Sequence, residues 1–449
     1  PEQAIGPYMP ASVSLQQFPD RIIPDDSELY RWYRLFYAEG GGALNGLTVE
    51  QSREINRIAP RITTFHDPVL RAPQFHGRWD GMELLNHWTY VERNPLDVAA
   101  FADELSCLGK RSGWEQQISQ MIQVIAYADR AMPGVGPDAP EYLRDAPFVA
   151  IPPDIITESV WLAVSRPVDM IAFHGLNTAI ETQEQESYRY TNPHTLTALG
   201  RVTEALIEPY GPALRKIKER PGPRVALLLS GANTVFGSIM EGGGTQSLHG
   251  PLTAARFGVD VLYDEDVRDG ALAGYSVLAI PQCRFLLASV REAIAQFQQA
   301  GGTVLLDGDA QIRIPGAVVL PQVSSEDAPT RQLELVPGEV LELADSPRAR
   351  LDADLRLTAE ALREQLLPRM AERPLVDSTH PYVVLEMRRS GELDYIFAIN
   401  DRREAGPYLG QFGAVLERGV PIEPTIRLRE TPGALYDAIA RNPLELAAG

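Results

Sequence analysis

The hydrophobic pattern is clearest between residues 277 and 309, where strand, helix and strand signals follow one another. Val277–Pro281 is a short apolar run that ends at a proline, which is typical of a buried strand. Apolar residues then recur at helical spacing from Val290 to Phe297, and Gly301-Gly302 is a typical helix end. Thr303–Leu306 predicts a second strand. The pattern therefore predicts a βαβ unit, in which the two strands run parallel.

The first 220 residues repeat this alternation of strand and helix. The predicted strands are Ile62–Phe65, Glu83–Trp88, Ile122–Tyr127, Phe148–Ile151 and Met170–Phe173. Their spacing, roughly 30–40 residues per unit, suits a (β/α)₈-type barrel with long loops. Four or five strands are visible rather than eight, so either the first half of the barrel is missing from this chain or the sheet is open.

A Pro-Gly-Pro hinge at Pro221–Pro223 marks the next boundary. Four apolar strands after it predict a flavodoxin-like, doubly wound α/β domain. They are Arg224–Leu229, Val259–Tyr263, Val277–Ile280 and Thr303–Leu306. Near the carboxyl terminus the pattern alternates as antiparallel strands do. The predicted divisions are a barrel-type region over 1–220, an α/β domain over 221–320, a linker with a helix over 321–374, and a small β-rich domain over 375–449.

Composition narrows the possible partners. The 449-residue chain carries a formal net charge of −19, and 22% of its residues are charged. An acidic chain lacks the basic face that nucleic-acid backbones and anionic membrane surfaces require. No apolar run approaches the roughly 20 residues of a membrane helix. We therefore predict neither a nucleic-acid nor a membrane partner.

Cysteine and metal-ligand patterns are sparse. Cys107 and Cys283 are the only cysteines, and their wide separation supports neither a disulfide framework nor a cysteine-based metal site. No HExxH, Cys/His cluster or calcium-loop spacing occurs, so no metal and no cofactor are predicted. The sequence starts at Pro1 without a signal-peptide pattern, so we expect a trimmed, processed or partial chain and predict no compartment.

Three stretches of the sequence resemble a family of glycoside hydrolases. They are SVWLAVSRPVDMIAFHGL at 159–176, YSVLAIPQCRFL at 275–286 and FQQAGGTVLLDGD at 297–309. They are similar to the last barrel helix and strand, and to the second domain, of family 42-type β-galactosidases. The resemblance implies a catalytic barrel, an amidotransferase-like domain that joins subunits into a homo-oligomer such as a trimer, and a small β domain. It also implies a carbohydrate substrate.

Retaining hydrolysis of a glycosidic bond needs two carboxyl groups about 5 Å apart, at the carboxyl ends of barrel strands. The resembled family carries its acid/base in an Asn-Glu pair, and that pair does not occur in this sequence. By position, Asp129, Asp67 and Glu2 are the candidate catalytic residues. A salt bridge to Arg130 or a solvated loop is the competing interpretation of Asp129, and a turn before proline that of Asp67.

Aromatic and polar side chains at the predicted strand ends are candidates for sugar binding, since aromatic rings stack on the apolar face of a sugar. They are His66, His87, Trp88, Tyr90, Tyr127 and His174. The alternative is a strand-capping role for His66, core packing for Trp88 in a buried strand whose residues alternate inward and outward, and a satisfied core histidine for His174. A non-catalytic carbohydrate-binding relative that lost its carboxylate pair is the rival function.

A third hypothesis concerns Cys283, which follows a strand as an amidotransferase nucleophile would. A nucleophile elbow needs small flanking residues, whereas Gln282 and Arg284 flank this cysteine. A buried thiol is therefore expected.

Overall fold

The computed structural model describes helices and strands along most of the chain. The residues it describes are 18–37, 45–66, 81–91, 94–127, 148–176, 179, 194–237, 243–321, 332–336, 339–342, 347–409, 414–430 and 433–445. Within this described part, no helix is long and apolar enough to cross a lipid bilayer.

Up to residue 220 the chain alternates strands and helices, as the pattern predicts. The strands are β1 (Ile22–Ile23), β2 (Phe65–His66), β3 (Leu84–Thr89), β4 (Gln117–Gln123), β5 (Ile125–Tyr127), β6 (Phe148–Ala150) and β7 (Met170–His174). The helices are α1 (Glu28–Tyr37), α2 (Asn45–Ile58), α3 (Leu96–Arg111), α4 (Pro153–Val164), α5 (Thr195–Val202) and α6 (Glu208–Leu214). A π-helical turn at Thr203–Ile207 joins the last two.

Strands β2, β3, β4 and β7 form one four-stranded sheet in that order, and all neighbours run parallel. β5 and β6 pair antiparallel instead. β4 begins at Gln117, five residues ahead of the predicted start at Ile122. The prediction began too late because the buried polar residues Ser119 and Gln120 interrupt the apolar run. The described strands thus form a parallel sheet of four, and closure into a barrel stays a prediction.

Helix α3 covers one face of this sheet, and its ends follow from the local sequence. The Leu96 amide donates to the Asn94 side-chain oxygen at 3.1 Å, which satisfies a helix-start amide that has no intrahelical partner. Lys110 and Arg111 lie in the last turn, where the helix dipole favours positive charge. Between these ends, Leu105 packs in a buried apolar cluster that anchors α3 to the sheet.

The segment 221–320 contains a five-stranded parallel sheet in the order β13-β12-β10-β8-β9. The strands of this segment are β8 (Arg224–Leu229), β9 (Gly258–Tyr263), β10 (Val277–Ile280), β11 (Leu286–Leu287), β12 (Thr303–Leu306) and β13 (Val318–Val319). Its helices are α7 (Gly231–Phe236), α8 (Gly243–Ala254), α9 (Asp264–Arg268) and α10 (Ala288–Gln299), with a 3₁₀ turn at Ala271–Gly274. β8 has β9 on one side and β10 on the other, so the winding reverses at β8. This is the strand order of flavodoxin-type sheets.

The Gly-Gly helix end predicted from the sequence is present after α10. Gly301 has φ +96°, in the left-handed region that glycine adopts without strain. A Cβ on Gly302 would lie 2.3 Å from the Phe297 ring, so no side chain fits there while that ring stays buried.

The remaining strands pair antiparallel, as predicted for the carboxyl-terminal part. They are β14 (Gln332–Val336), β15 (Glu339–Glu342), β16 (Val376–Ser378), β17 (Val383–Ser390), β18 (Leu393–Asn400), β19 (Arg403–Leu409), β20 (Ala414–Gly419), β21 (Ile426–Leu428), β22 (Leu435–Asp437) and β23 (Asn442–Leu444). Helix α11 (Pro347–Leu366) precedes β16.

Arg388 on β17 is fully buried and joins this strand to the first part of the chain. Its guanidinium donates to the carbonyl oxygens of Val164 at 2.9 Å, Arg166 at 3.0 Å and Ile217 at 3.0 Å, and also to that of Leu214. These carbonyls lie at or just beyond the ends of α4 and α6, where helix carbonyls lack intrahelical partners.

A group of buried charged residues, here called the buried charge cluster, lies where the first 220 residues, the five-stranded sheet and strand β17 meet. Its members are Asp103, Arg166, Arg220, Arg224, Asp260 and Glu386. Arg220 contacts Asp103 and Glu386, each at 2.7 Å, and Arg224 contacts Asp260 at 2.8 Å. Three guanidinium groups therefore face three carboxylates away from water.

Candidate functional site

The four-stranded sheet has one face that bears aromatic and polar residues at its carboxyl end. Trp88 is the ladder partner of Met121, Met121 of Ala172, and Gln123 of His174. Partners in a ladder point to the same face, and so do residues two apart on one strand. The register therefore brings Trp88, Gln123 and His174 to one face.

The opposite face packs on helices. His87 and its ladder partner Gln120 point to that face, where the His87 ring stacks on Phe101 of α3 with centroids 3.6 Å apart. The His87 Nδ1 atom lies 2.9 Å from the Thr89 hydroxyl, and the residue is buried. The prediction that His87 lines the cleft is therefore not supported, because strand alternation turns it away from Trp88.

Trp88, Tyr90 and His174 form a half-buried aromatic group, here called the aromatic platform. The Trp88 ring lies 4.2 Å from His174 and 5.6 Å from Tyr90, centroid to centroid, and is nearly parallel to Tyr90 at 14°. The platform lies at the carboxyl ends of β3 and β7, where parallel α/β sheets place ligand-binding residues. Rings in this arrangement offer an apolar face with polar edges, which is how proteins bind sugars.

Gln123 at the end of β4 is a residue of this face that the sequence reasoning missed. Its side chain is 1% exposed, and its Oε1 accepts a hydrogen bond from the Trp88 Nε1–H. The sequence carries no simple alternation that would have found it, because β4 has adjacent polar residues at 119 and 120 and adjacent apolar residues at 121 and 122. Gln123 fixes the in-plane orientation of the indole, because the N–H direction rotates with the ring.

Gly175 follows His174 and sets the turn after β7. Its φ is +81°, and a Cβ there would lie 2.5 Å from a methyl carbon of Ile125. Both the backbone conformation and the space therefore require glycine at this position. The backbone leaves β7 directly after His174 and keeps that ring at the strand end.

The other predicted site residues are placed only in part. The candidate carboxylates Glu2, Asp67 and Asp129 lie outside the described residues. His66 ends β2 and Tyr127 ends β5, but their side chains are likewise outside what the structure describes. Trp88, Tyr90 and His174 are thus the members of the predicted set that the structure brings together.

In the described ranges, no group of three or more histidine, cysteine or acidic side chains could hold a metal ion. Cys283 is buried, and its thiol donates to the Phe285 carbonyl at 3.3 Å. Burial, followed by the neighbouring Asp264, raises the pKa of this thiol, which disfavours the nucleophilic thiolate. Cys283 is therefore a buried thiol, as expected from the sequence. This leaves the amidotransferase hypothesis without a nucleophile at Cys283.

Replacing Gln123 with leucine is expected to destabilise the protein by about 1 kcal/mol, because the Trp88 indole loses this acceptor in a partly buried position. The shift of the urea midpoint in an otherwise unchanged chain measures the loss. Gln298→Leu is the matched control, since Gln298 donates to the Pro315 carbonyl at the surface. Equal midpoints for the two variants would contradict the orienting role of Gln123.

Comparison with known proteins gives fold-level matches. No protein-family pattern and no curated protein matches the sequence. An α-L-fucosidase from Paenibacillus thiaminolyticus matches 85% of this chain at 14% identity, with a TM-score of 0.50, and this chain covers 64% of it. A β-galactosidase from the psychrophilic Marinomonas ef1 matches 83% of this chain at 12% identity, with a TM-score of 0.43, and the match covers 66% of the β-galactosidase.

A catalytic mutant of Gan42B, a GH42 β-galactosidase from G. stearothermophilus, matches 92% of this chain at 14% identity, with a TM-score of 0.40. The match covers 72% of the length of Gan42B. At these identities, the similarity to the fucosidase concerns the fold alone, and this chain spans less than two thirds of that protein. The solved structures that match include GH42 β-galactosidases and related glycoside hydrolases, in agreement with the resemblance stated from the sequence.

Proposed function

We propose that this protein binds a carbohydrate at the aromatic platform and hydrolyses a glycosidic bond there with retention. The observation that carries the proposal is the position of Trp88, Tyr90 and His174, half-buried at the carboxyl end of parallel strands. A sugar ring that lies on Trp88 would place its hydroxyls near the Tyr90 and His174 edges. The fold shared with a fucosidase agrees with this assignment.

The catalytic part of the proposal depends on two carboxyl groups near the platform. We propose Asp129, Asp67 and Glu2 as the candidates, with His66 and Tyr127 completing the sugar site. About 5 Å between two carboxyl groups is the separation that retention requires. Of the three, Asp129 is the proposed nucleophile because of its position in the chain. It comes two residues after Tyr127, the last residue of β5, and β5 itself follows directly on β4.

We also propose the wider architecture that goes with this function. β2, β3, β4 and β7 would be wall segments of a (β/α)₈-type barrel over 1–220, since they are parallel and follow one another across the sheet in the order of the chain. The five-stranded sheet would belong to an amidotransferase-like domain over 221–320 that packs subunits into a homo-oligomer, such as a trimer. A linker with a helix over 321–374 and a β-rich domain over 375–449 would complete the chain.

The second candidate function is carbohydrate binding without catalysis. The observation that favours it is the absence of an Asn-Glu pair from the whole sequence. The platform would then serve recognition alone. The two functions share a binding site and differ only in whether carboxylates act on the bound sugar.

Trp88→Ala is expected to weaken sugar binding about tenfold or more, because a stacked aromatic ring contributes on the order of 1 kcal/mol beyond its buried area. A panel of galactosides and fucosides supplies the ligand, and titration calorimetry measures the affinity. Trp32→Ala is the control, since Trp32 is 63% exposed on α1 and away from the platform. No sugar binding by the unchanged chain, or equal loss in both variants, would overturn the proposed site.

Hydrolysis is tested separately with an aryl glycoside of whichever sugar binds. Asp129→Asn is expected to abolish turnover and to keep sugar binding, whereas Asp269→Asn, an exposed carboxylate on another part of the chain, should leave turnover unchanged. Binding without any turnover in the unchanged chain would select the non-catalytic function. Full turnover in Asp129→Asn would remove Asp129 from the catalytic role.

A further inference from the structure

Helix α4 and the carboxyl-terminal strands β18 and β19 meet at two buried carboxyl groups, here called the carboxyl pair. They are Glu158 on α4, which is 6% exposed, and Asp401 between β18 and β19, which is 1% exposed. Arg403 at the start of β19 donates through a single nitrogen, Nη1, to Oε2 of Glu158 and to Oδ1 of Asp401, the latter at 2.5 Å. Because one nitrogen atom contacts both groups, the two carboxyls lie side by side.

The charges around the carboxyl pair do not balance when every group is ionised. Arg356 on α11 is 1% exposed and contacts Asp401, and also Asp352 on the same helix at 3.2 Å. Arg356 and Arg403 thus supply two positive charges in these described contacts. They face three carboxyl groups, those of Glu158, Asp401 and Asp352. Since the Asp352 side chain is 35% exposed and water can solvate its charge, the buried pair is where one proton removes the excess.

The geometry also gives that proton a position. Glu158 Oε2 accepts from Arg403, but Glu158 Oε1 is buried and has no donor among the described residues. A buried oxygen without a donor is costly, whereas a protonated carboxyl is itself a donor. A proton on Oε1 gives Glu158 a hydrogen to donate to the neighbouring Asp401 carboxylate. The same proton therefore relieves both the unpaired oxygen and the excess charge.

The pKa directions of the two groups agree with this arrangement. Burial raises the pKa of Glu158 well above its usual range, and the Asp401 carboxylate raises it further, against the lowering by Arg403. Burial acts upward on Asp401 too, but Arg356 and Arg403 outweigh it and hold the pKa of Asp401 well below its usual range. The proton therefore resides on Glu158, and Asp401 stays ionised.

The other charged and titratable groups around the carboxyl pair lie on α11, on α4 and directly before β17. They are Arg356, Asp352, Asp154 and Tyr382. The Tyr382 hydroxyl donates to Asp352 at 3.0 Å, and Asp154 accepts from the Gly419 amide at 2.7 Å. Helices α3 and α5 also pack on α4, and they contribute apolar side chains to the buried cluster there.

We propose that Glu158 and Asp401 share one proton, and that this carboxyl pair is a pH-sensitive contact that holds β18 and β19 on α4. The Oε1–H group of Glu158 donates to Asp401, while both residues keep their contact with Arg403. Loss of the proton to water leaves two carboxylates side by side in a buried contact, where they repel each other. The contact is therefore strongest while the proton is present.

The direction of the pH dependence follows from this linkage. The pKa of Glu158 is higher in the folded chain than its usual 4.5, so the stabilisation is fully present below about pH 4.5. It is lost as the pH rises through the folded pKa. Carboxylates with a lowered pKa, such as Asp401, act in the opposite direction and below that pH, so the two effects occupy separate ranges.

Urea unfolding of the 449-residue chain between about pH 5 and pH 8.5 tests the proposal. Glu158→Gln imitates the protonated acid, since its carbonyl can accept from Arg403 and its amide can donate to Asp401. Relative to this variant, the unfolding equilibrium constant of the unchanged chain is expected to rise at least about tenfold over the range, because each unit of pKa elevation is worth a factor of ten. Glu392→Gln, at an exposed glutamate in the turn between β17 and β18, should keep the wild-type pH dependence. Parallel profiles for the unchanged chain and Glu158→Gln would overturn the proposal.

Infrared difference spectroscopy detects the proton itself and requires no unfolding. At about pH 6, the difference between the unchanged chain and Glu158→Gln should show the carbonyl stretch of one protonated carboxyl group. Asp401→Asn should lose this band, because Glu158 is then the one carboxylate left in contact with Arg403 and ionises.

Two spectroscopic results would contradict the shared proton. A band that persists in Asp401→Asn would mean that burial alone keeps Glu158 neutral. No band in the unchanged chain would mean that both carboxyls are ionised. None of these readouts involves a sugar, so they are independent of the proposed carbohydrate site.

Discussion

Replacing Arg388 with methionine is expected to lower the free energy of unfolding by about 3–5 kcal/mol, because several buried carbonyl oxygens lose their donor at roughly 1–3 kcal/mol each. Without the guanidinium, the carbonyl oxygens of Val164, Arg166 and Ile217 lose their donor. These oxygens are buried at helix ends, so water does not supply a new hydrogen bond. Methionine matches the volume of the aliphatic stem, so the lost hydrogen bonds dominate the effect.

The neighbouring residue supplies a matched control. Arg389 lies on the same strand, but its side chain is 32% exposed and pairs with Asp394 at 2.6 Å. Exposed ion pairs contribute about 0–1 kcal/mol, so Arg389→Met should shift the urea midpoint only slightly. Lysine at 388 should recover only part of the loss, because a single ammonium group cannot reach both helix ends at once. A midpoint for Arg388→Met near that of Arg389→Met would contradict the role described for Arg388.

Replacing Glu386 with glutamine is expected to cost a comparable amount, about 3–5 kcal/mol. Glu386 contacts Arg220 at 2.7 Å and Arg224 at 3.2 Å, and its side chain is 2% exposed. Without its charge, the buried charge cluster keeps three guanidinium groups against the two carboxylates of Asp103 and Asp260. Glu404→Gln is the control, since Glu404 pairs with Arg418 at the surface.

The same variant should change the acid stability. Burial would raise the pKa of Glu386, but Arg220, Arg224 and Arg166 outweigh it and lower the pKa to about 2. Because that pKa is depressed in the folded chain, the stabilisation is present above about pH 4.5 and is lost as the pH falls toward 2. Between these values, the urea midpoint of the wild-type chain should fall more steeply than that of Glu386→Gln. Parallel pH profiles would contradict the assignment.

The second sheet could be predicted from the sequence because its signals are local. Buried parallel strands such as Arg224–Leu229 and Val277–Ile280 are continuous apolar runs, and Gly301-Gly302 ends the helix between the last two predicted strands. The sequence predicted the strands and helices here, and their order in the sheet followed the flavodoxin type that it indicated. The pairing of β1 with β11 was not predictable, since each is two residues long and about 260 residues separate them.

For the candidate site, the sequence pointed to aromatic residues at strand ends, but strand register decided which neighbours share a face. His87 and Trp88 are adjacent in sequence and looked equally suited to a cleft, yet they point to opposite faces. Gln123 was missed because the predicted strand began at Ile122, which put the residue at the wrong end of it. The contacts of Arg388 could not be predicted at all, since its partners lie more than 170 residues away in the chain.

Strand β17 carries both Glu386 and Arg388, which connect it to the first part of the chain and to the five-stranded sheet. The carboxyl-terminal strands are therefore no detachable module. A chain shortened to end before this strand would bury Arg220 and Arg224 with one acidic partner fewer, and would leave two helix ends open. Exchange of this region between relatives would have to transfer both side chains together with the residues they contact.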